Sequence, residues 1–205
     1  LKRPEENRQV VRWIVDAAPQ DGTVLDVGGN VGKISERVAE QRPDVRILLF
    51  EPVTHFAAKA AARLERWAPR VGVFPFGLSD QETDATIYID NDNPGWSTLD
   101  PAYAEGKHTA PVHLKRLDDL GLGRVDVIKL DVEYWEGKVL KGGRRTIDRF
   151  KPVIVSELSR GTEDLWYERV GEMERLFDIG YRRIDYRVTS RINVVFTTEQ
   201  EAEAV

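Results

Sequence analysis

The stretch Val24-Leu25-Asp26-Val27-Gly28-Gly29-Asn30-Val31-Gly32 decides how this chain folds. Residues 23–27 form a short apolar run that reads as a strand, and the glycines close it. Residues 33–41 follow with Ile34, Val38 and Ala39 at helical spacing, so strand, glycine turn and helix come in order. Such a unit opens parallel sheets whose ligands sit in a crevice beyond the carboxyl ends of the strands. Several ligands use a turn of this kind, and spacing separates them. A phosphate loop needs Gly-x-x-x-x-Gly-Lys and then Ser or Thr, whereas Gly28 and Gly32 are one residue too close and Ile34 follows Lys33. A dinucleotide fingerprint runs Gly-x-Gly-x-x-Gly, but the glycines here stand at positions 28, 29 and 32.

Outward from the turn the same rhythm continues. Residues 4–18 carry Val10, Val11, Ile14 and Val15 at helical spacing, with Pro4 where a first turn tolerates it, and predict a packing helix. Residues 45–50 read as a second strand ending at Glu51-Pro52, 56–67 as an alanine-rich helix and 71–76 as a third strand. Beyond Asp80, residues 85–89 alternate like an exposed strand. Residues 90–111, rich in Asn, Asp, Gly and Pro, read as an irregular acceptor loop. A strand at 125–130, a helix over 135–142, a helical turn at 146–150 and a strand at 152–156 follow. An amphipathic helix over 165–179 and two strands, 181–186 and 192–196, close the pattern. Strands alternating with helices predict an α/β fold, a parallel sheet with helices on both faces. The expectation is seven core strands in one domain over 1–205, with a cofactor-binding half at 23–80 and a catalytic half at 125–196.

Composition narrows the class. With 205 residues, 41% hydrophobic and 32% charged, the chain suits one globular core. No apolar run nears the ~18 residues a membrane helix needs. No signal peptide is expected, although Leu1 is not a natural start. The absence of cysteine excludes disulfides, thiolate catalysis and the usual zinc sites and is compatible with a cytoplasmic protein, which is the expectation. A net charge of −5 argues against a broad phosphate-binding face, so neither nucleic acid nor membrane is an expected partner.

A methyl donor suits the turn better than a pyrophosphate does. Its methionine end must lie against backbone that no side chain obstructs, and glycines allow both that approach and positive torsions. Asp26, ending the first strand, is a candidate for the donor's ammonium group, and Glu51, ending the second, for its ribose hydroxyls. Two acids on adjacent strand ends mark one crevice.

Joined with Phe50-Glu51-Pro52, Gly77-Leu78-Ser79-Asp80 and Ile128-Lys129-Leu130-Asp131-Val132-Glu133, the opening stretch resembles the FkbM family of methyltransferases in order and spacing, over residues 23–158. The resemblance implies a Rossmann-like sheet of seven strands, mostly parallel with the last antiparallel. It implies S-adenosyl-L-methionine as cofactor and S-adenosyl-L-homocysteine as product. By the same resemblance Gly28, Gly29, Asn30 and Gly32 hold the methionine part, Glu51 with Pro52 the ribose, and Ser79 and Asp80 the adenine. It further implies O-methylation of a hydroxylated small molecule, sugar or glycan. The family pattern continues Asp-Val-Glu-Gly-x-Glu, and here Tyr134 stands in place of the glycine, where its ring either reshapes acceptor access or packs on the next helix.

Methyl transfer is an in-line displacement at a sulfonium carbon, so an enzyme aligns the acceptor oxygen and manages its proton. Asp131 and Glu133, on one side of an extended chain at the crevice, are the candidate bases. A competing reading has Asp131 support the cofactor and Glu133 cap a helix. Lys129 shares their side and either pairs with an acid or orients the acceptor. Glu157 and Asp131 are two neighbouring acids, too few to establish a divalent metal site, and no metal is predicted. His108 follows Trp96, Ser97 and Tyr103 in the irregular loop, where it is a further candidate base or plain surface. Two other classes compete. A silent adenosyl-nucleoside-binding module would lack the carboxylates, and a nicotinamide oxidoreductase conflicts with the glycine spacing. The oligomeric state is not legible.

Overall fold

The computed structural model describes residues 4–90, 94–158, 172–187 and 192–198. Helices α1 (Pro4–Ala17), α2 (Lys33–Gln41) and α3 (Thr54–Leu64) alternate with strands β1 (Thr23–Val27), β2 (Arg46–Phe50) and β3 (Val71–Phe74). Strands β4 (Gly77–Leu78), β5 (Thr83–Ile89) and β6 (His108–Lys115) follow, then β7 (Val127–Leu130), α4 (Glu136–Gly142), α5 (Arg144–Phe150) and β8 (Val153–Leu158). The described chain closes with α6 (Glu172–Asp178), β9 (Tyr181–Arg187) and β10 (Ile192–Thr198). The start of the helix expected over 165–179 lies outside the described residues.

Seven strands form the main sheet in the order β3-β2-β1-β7-β8-β10-β9. The first five run parallel, and β10, the last strand in sequence, inserts antiparallel between β8 and β9. The α/β sheet expected from the sequence is the one observed. Its central strands β1 and β7 are buried throughout, which is why they read as apolar runs rather than alternating ones. Alternation still sorts their side chains between two cores. Leu25, Val27, Ile128 and Leu130 pack with Leu140, Ile147 and Leu176 of the helices after β7. Val24 and Val127 pack with Ile14, Val38 and Leu64 of α1, α2 and α3. Each fully buried aliphatic side chain contributes about 1.5–3 kcal/mol of transfer free energy. By the same alternation Asp26 and Lys129 turn toward the second core.

The stretch over 90–111 is less irregular than its composition suggests. β6 begins at His108, and Thr98 pairs back with Tyr88 in an antiparallel bridge. β4, β6 and β5 make a separate three-stranded sheet. Its signal in the sequence is weak because β4 has two residues and β6 contains Pro111. β4 pairs only with Leu114 and Lys115, so beside Pro111 that flank of β6 is an edge, where a missing N–H is tolerated. Ile87, Val112 and Leu114 pack this sheet on Val53 and Phe56, next to the end of β2. Among the described residues no helix is long and apolar enough to cross a membrane.

Candidate active site

A cavity of about 410 Å³ opens beyond β1, β2 and β7, within the size range of small-molecule sites. One side is the turn after β1. There Gly28 (φ 73°), Asn30 (φ 48°) and Gly32 (φ 78°) take left-handed torsions. The Gly28 and Gly29 amides donate to the Phe50 carbonyl at 3.0 and 3.2 Å, fastening the turn to β2. These glycines answer to packing inside the protein: a Cβ on Gly28 would stand 2.1 Å from the Asp131 carbonyl oxygen, and one on Gly29 2.2 Å from Leu49 Cγ.

Glu51 ties that turn to the start of α3. Its Oε2 accepts from the Asn30 amide at 2.8 Å and its Oε1 from the Val53 amide at 2.9 Å. The residue is 5% exposed and lines the cavity. Burial pushes its carboxyl up to about 7, against the two backbone donors and Lys129, which favour the ionised form. A carboxylate oxygen has two acceptor directions, so one on each oxygen remains for a ligand.

Strand register pairs Asp26 with Lys129 across β1 and β7. Lys129 Nζ donates to Asp26 Oδ1 at 2.8 Å and to the Gly28 carbonyl at 2.9 Å, with Asp131 Oδ2 at 3.6 Å. Ser35 of α2 donates its hydroxyl to Asp26 Oδ2 at 2.6 Å. Asp26 and Lys129 are 1% and 4% exposed, so the ammonium group is an internal tie between β1, the turn and β7. Asp26 is absent from the cavity lining, whereas Lys129 and Asp131 are part of it.

The opposite side begins where β7 ends. Glu133 (φ 39°) and Tyr134 (φ 73°) both take left-handed torsions, so the expected alternation of Lys129, Asp131 and Glu133 along an extended chain stops at Leu130. Asp131 and Glu133 still both line the cavity, brought there by a turn, with Trp135 beside them. Gly95, Ser97 and Leu99 supply a further wall. Thr98, between them, donates its hydroxyl to the Glu133 carbonyl at 2.7 Å. Tyr103 stacks on Tyr134 with ring centroids 3.9 Å apart and planes at 5°.

Other candidates fall elsewhere. Pro52 lines the cavity beside Gly77 and Leu78, but Ser79, Asp80 and Gly32 do not. Ser79 Oγ accepts from Trp135 Nε1 at 3.3 Å and Asp80 from Lys141 Nζ at 2.9 Å, so this pair braces Trp135 and α4 from behind. His108 is exposed at the start of β6, opposite Ile89, and is not part of the lining. The Glu157 side chain lies outside the described residues. Among those described, no three His, Cys, Asp or Glu residues gather as a metal site. Asn7, Lys33, Lys59 and Trp135 also line the cavity. Only Trp135 carries a signal in the sequence, its place between Glu133 and Glu136.

A family model of the methyltransferase FkbM domain matches residues 26–188. The chain is 26% identical to the 2-O-methyltransferase NoeI of Sinorhizobium fredii, over 73% of this chain and 69% of that one. It is 33% identical to a part of the AMB antimetabolite synthetase AmbE of Pseudomonas aeruginosa, over 60% of this chain but 8% of AmbE. The structure resembles that of methyltransferase FkbM from Methylobacillus flagellatus with a TM-score of 0.60 at 19% identity, over 86% of this chain and 44% of that one. It resembles the O-methyltransferase TomG of Streptomyces achromogenes with a TM-score of 0.55 at 14% identity, over 97% and 82%. Both likenesses are likenesses of fold. The family match runs from Asp26 in β1 past the end of β9, through the whole cavity-bearing part of the sheet, and the chain belongs to the FkbM family of methyltransferases.

Proposed function

We propose that the chain binds S-adenosyl-L-methionine across the ends of β1 and β2 and moves its methyl group to a hydroxyl oxygen of a small molecule, sugar or glycan. The observation that carries this reading is Glu51, a buried acid on the cavity lining with one acceptor direction left on each oxygen, suited to the two hydroxyls of a ribose. The backbone of residues 28–30 suits the methionine end, and Asp131, on the lining where Asp26 is not, suits its ammonium group. The bound cofactor supplies a methyl carbon on a sulfonium, with a thioether as leaving group.

Glu133 is the proposed base. The Glu133 carboxylate would take the proton of the acceptor hydroxyl as that oxygen accepts the methyl group that the bound cofactor would supply. Lys129 acts indirectly, by holding β1, the turn and β7 in register. Ser97, Leu99 and Trp135 orient the acceptor and exclude water. The name of NoeI, a 2-O-methyltransferase, supports oxygen as the methylated atom.

Two measurements test this. S-adenosylhomocysteine is expected to raise the melting temperature while NAD does not, and the reverse preference would sink the cofactor assignment. Labelled methyl from S-adenosylmethionine is expected on oxygen in a panel of hydroxylated metabolites. Products methylated only on nitrogen or carbon would refute the acceptor chemistry.

A further inference from the structure

Two walls of the cavity belong to separate parts of the chain and are fastened together outside it. Gly95, Ser97 and Leu99 come from the segment between β5 and β6, and Asp131, Glu133 and Trp135 from the turn after β7. The first segment is anchored at its start by the Tyr88–Thr98 bridge, with amide-to-carbonyl bonds of 2.8 and 2.9 Å. Its next turn is shaped by Asp100, whose Oδ1 accepts from the Ala102 amide at 2.9 Å, and this presents Tyr103. The hydroxyl of Thr98 on the Glu133 carbonyl and the ring of Tyr103 on Tyr134 then join segment to turn. Neither tyrosine is on the cavity lining, so whatever they do for a ligand they do through the walls.

The backbone gives the stack its weight. Tyr134 has φ 73°, directly after Glu133 at φ 39°. Side chains with a Cβ resist this region, and a residue stays there where its surroundings hold it. The parallel stack on Tyr103 is such a hold. Relaxation of Tyr134 to an ordinary torsion would swing Glu133, and with it a carboxylate of the cavity lining.

We propose that Tyr103 and Tyr134 form a specificity-determining clasp: their stack holds the 94–104 segment against the 131–135 turn, sets the width of the acceptor end and so limits the bulk of the acceptor at the methylated hydroxyl. The clasp rests on the proposed methyltransfer reaction for its consequence, but not for its existence.

The test compares Tyr103→Ala and Tyr134→Gly with the ring-conserving Tyr103→Phe and Tyr134→Phe. Hydrogen exchange is measured with S-adenosylhomocysteine bound, together with its affinity and labelled-methyl transfer to monosaccharides, their disaccharides and simple phenols. In Tyr103→Ala the 94–104 amides are expected to exchange roughly 2- to 12-fold faster, and in Tyr134→Gly to exchange faster by a smaller factor. Affinity for S-adenosylhomocysteine should stay within about 2-fold, and the bulkier acceptors should gain relative to the smaller ones. Both phenylalanine variants should match the parent. Unchanged exchange in Tyr103→Ala would overturn the clasp. Loss of S-adenosylhomocysteine affinity would assign the segment to the donor side instead. Loosened exchange with no gain of any bulkier acceptor would overturn the specificity role. Failure of the parent to bind S-adenosylhomocysteine at all would instead count against the proposed reaction, and the exchange comparison without ligand would still decide whether the clasp exists.

Discussion

The proposed donor side and the proposed acceptor side of the cavity are built by opposite means. On the proposed donor side the buried Lys129 donates to the Asp26 carboxylate and the Gly28 carbonyl, Ser35 donates to Asp26, and the buried Glu51 accepts from the Asn30 and Val53 amides, all at the strand ends themselves. On the proposed acceptor side, a loop meets a turn through contacts that include the hydroxyl bond of the buried Thr98 and the stack of the half-buried Tyr103 and Tyr134. Buried charge tolerates no missing partner, whereas a loop contact can be exchanged a ring at a time. The strand-end groups proposed for the donor are therefore tied to fold stability, while the loop contacts proposed for the acceptor are open to change.

The sharpest way to break this contrast is Lys129→Ala, which strands the Asp26 carboxylate inside the core. A loss of about 3–5 kcal/mol is expected in chemical denaturation, and a change as small as that of a surface substitution would refute the internal tie. Next in size, Glu51→Ala removes the acceptor for the Asn30 and Val53 amides and, on the proposed reading, for the two ribose hydroxyls. Calorimetry with S-adenosylhomocysteine should show affinity falling by roughly 10- to 100-fold. Unaltered affinity would remove Glu51 from the ribose.

A third prediction concerns pH. With its carboxyl near 7 in the folded chain, raised by burial and by the charge of Asp26 against the pull of Lys129 and two amides, Glu51 is largely protonated at about pH 6. A ribose diol donates hydrogen bonds and prefers the ionised carboxylate, so binding must release that proton. S-adenosylhomocysteine affinity should climb roughly tenfold between about pH 6 and pH 8, and Glu51→Gln should flatten the profile. For stability the sign is opposite. The folded chain holds this proton more tightly than the unfolded one, so the contribution is full below the ordinary carboxyl range and is lost as pH rises through about 7.

The smallest effects lie on the acceptor side. Tyr103→Ala removes a stack worth about 0.5–1.5 kcal/mol and leaves the strain at Tyr134 in place. Tyr134→Gly loses the same stack but relieves a left-handed torsion costing about 1–2 kcal/mol. Tyr103→Ala should therefore melt at the lower temperature of the two. The reverse order would show that Tyr134 is not strained.

Much of the donor side was legible because it is local. Val24 to Gly32 is one contiguous strand and turn, and Glu51 ends the next apolar run, so spacing alone put both at the same edge of the sheet. Asp26 shows where that reasoning stops: its place at a strand end was readable, its facing was not, because Lys129 of β7 and Ser35 of α2 compete for its carboxylate. Asp131 and Glu133 were readable as acids at the end of β7, but the left-handed turn that delivers them was not, since neither Glu133 nor Tyr134 is a residue that announces such torsions. The small sheet of β4, β5 and β6 escaped for a related reason, being made of short strands with a proline and an exposed face.

By itself, then, the sequence determined the α/β alternation, the seven-stranded sheet, the glycine turn and the position of Glu51, because each follows from periodicity or spacing within a few adjacent residues. The tertiary structure alone decided that Lys129, at the cavity wall, is bonded to Asp26, that Asp131 rather than Asp26 meets the cavity, and that Tyr103 closes on Tyr134. Those outcomes depend on strand register and loop path, which bring together residues far apart in the chain and leave no local trace in it.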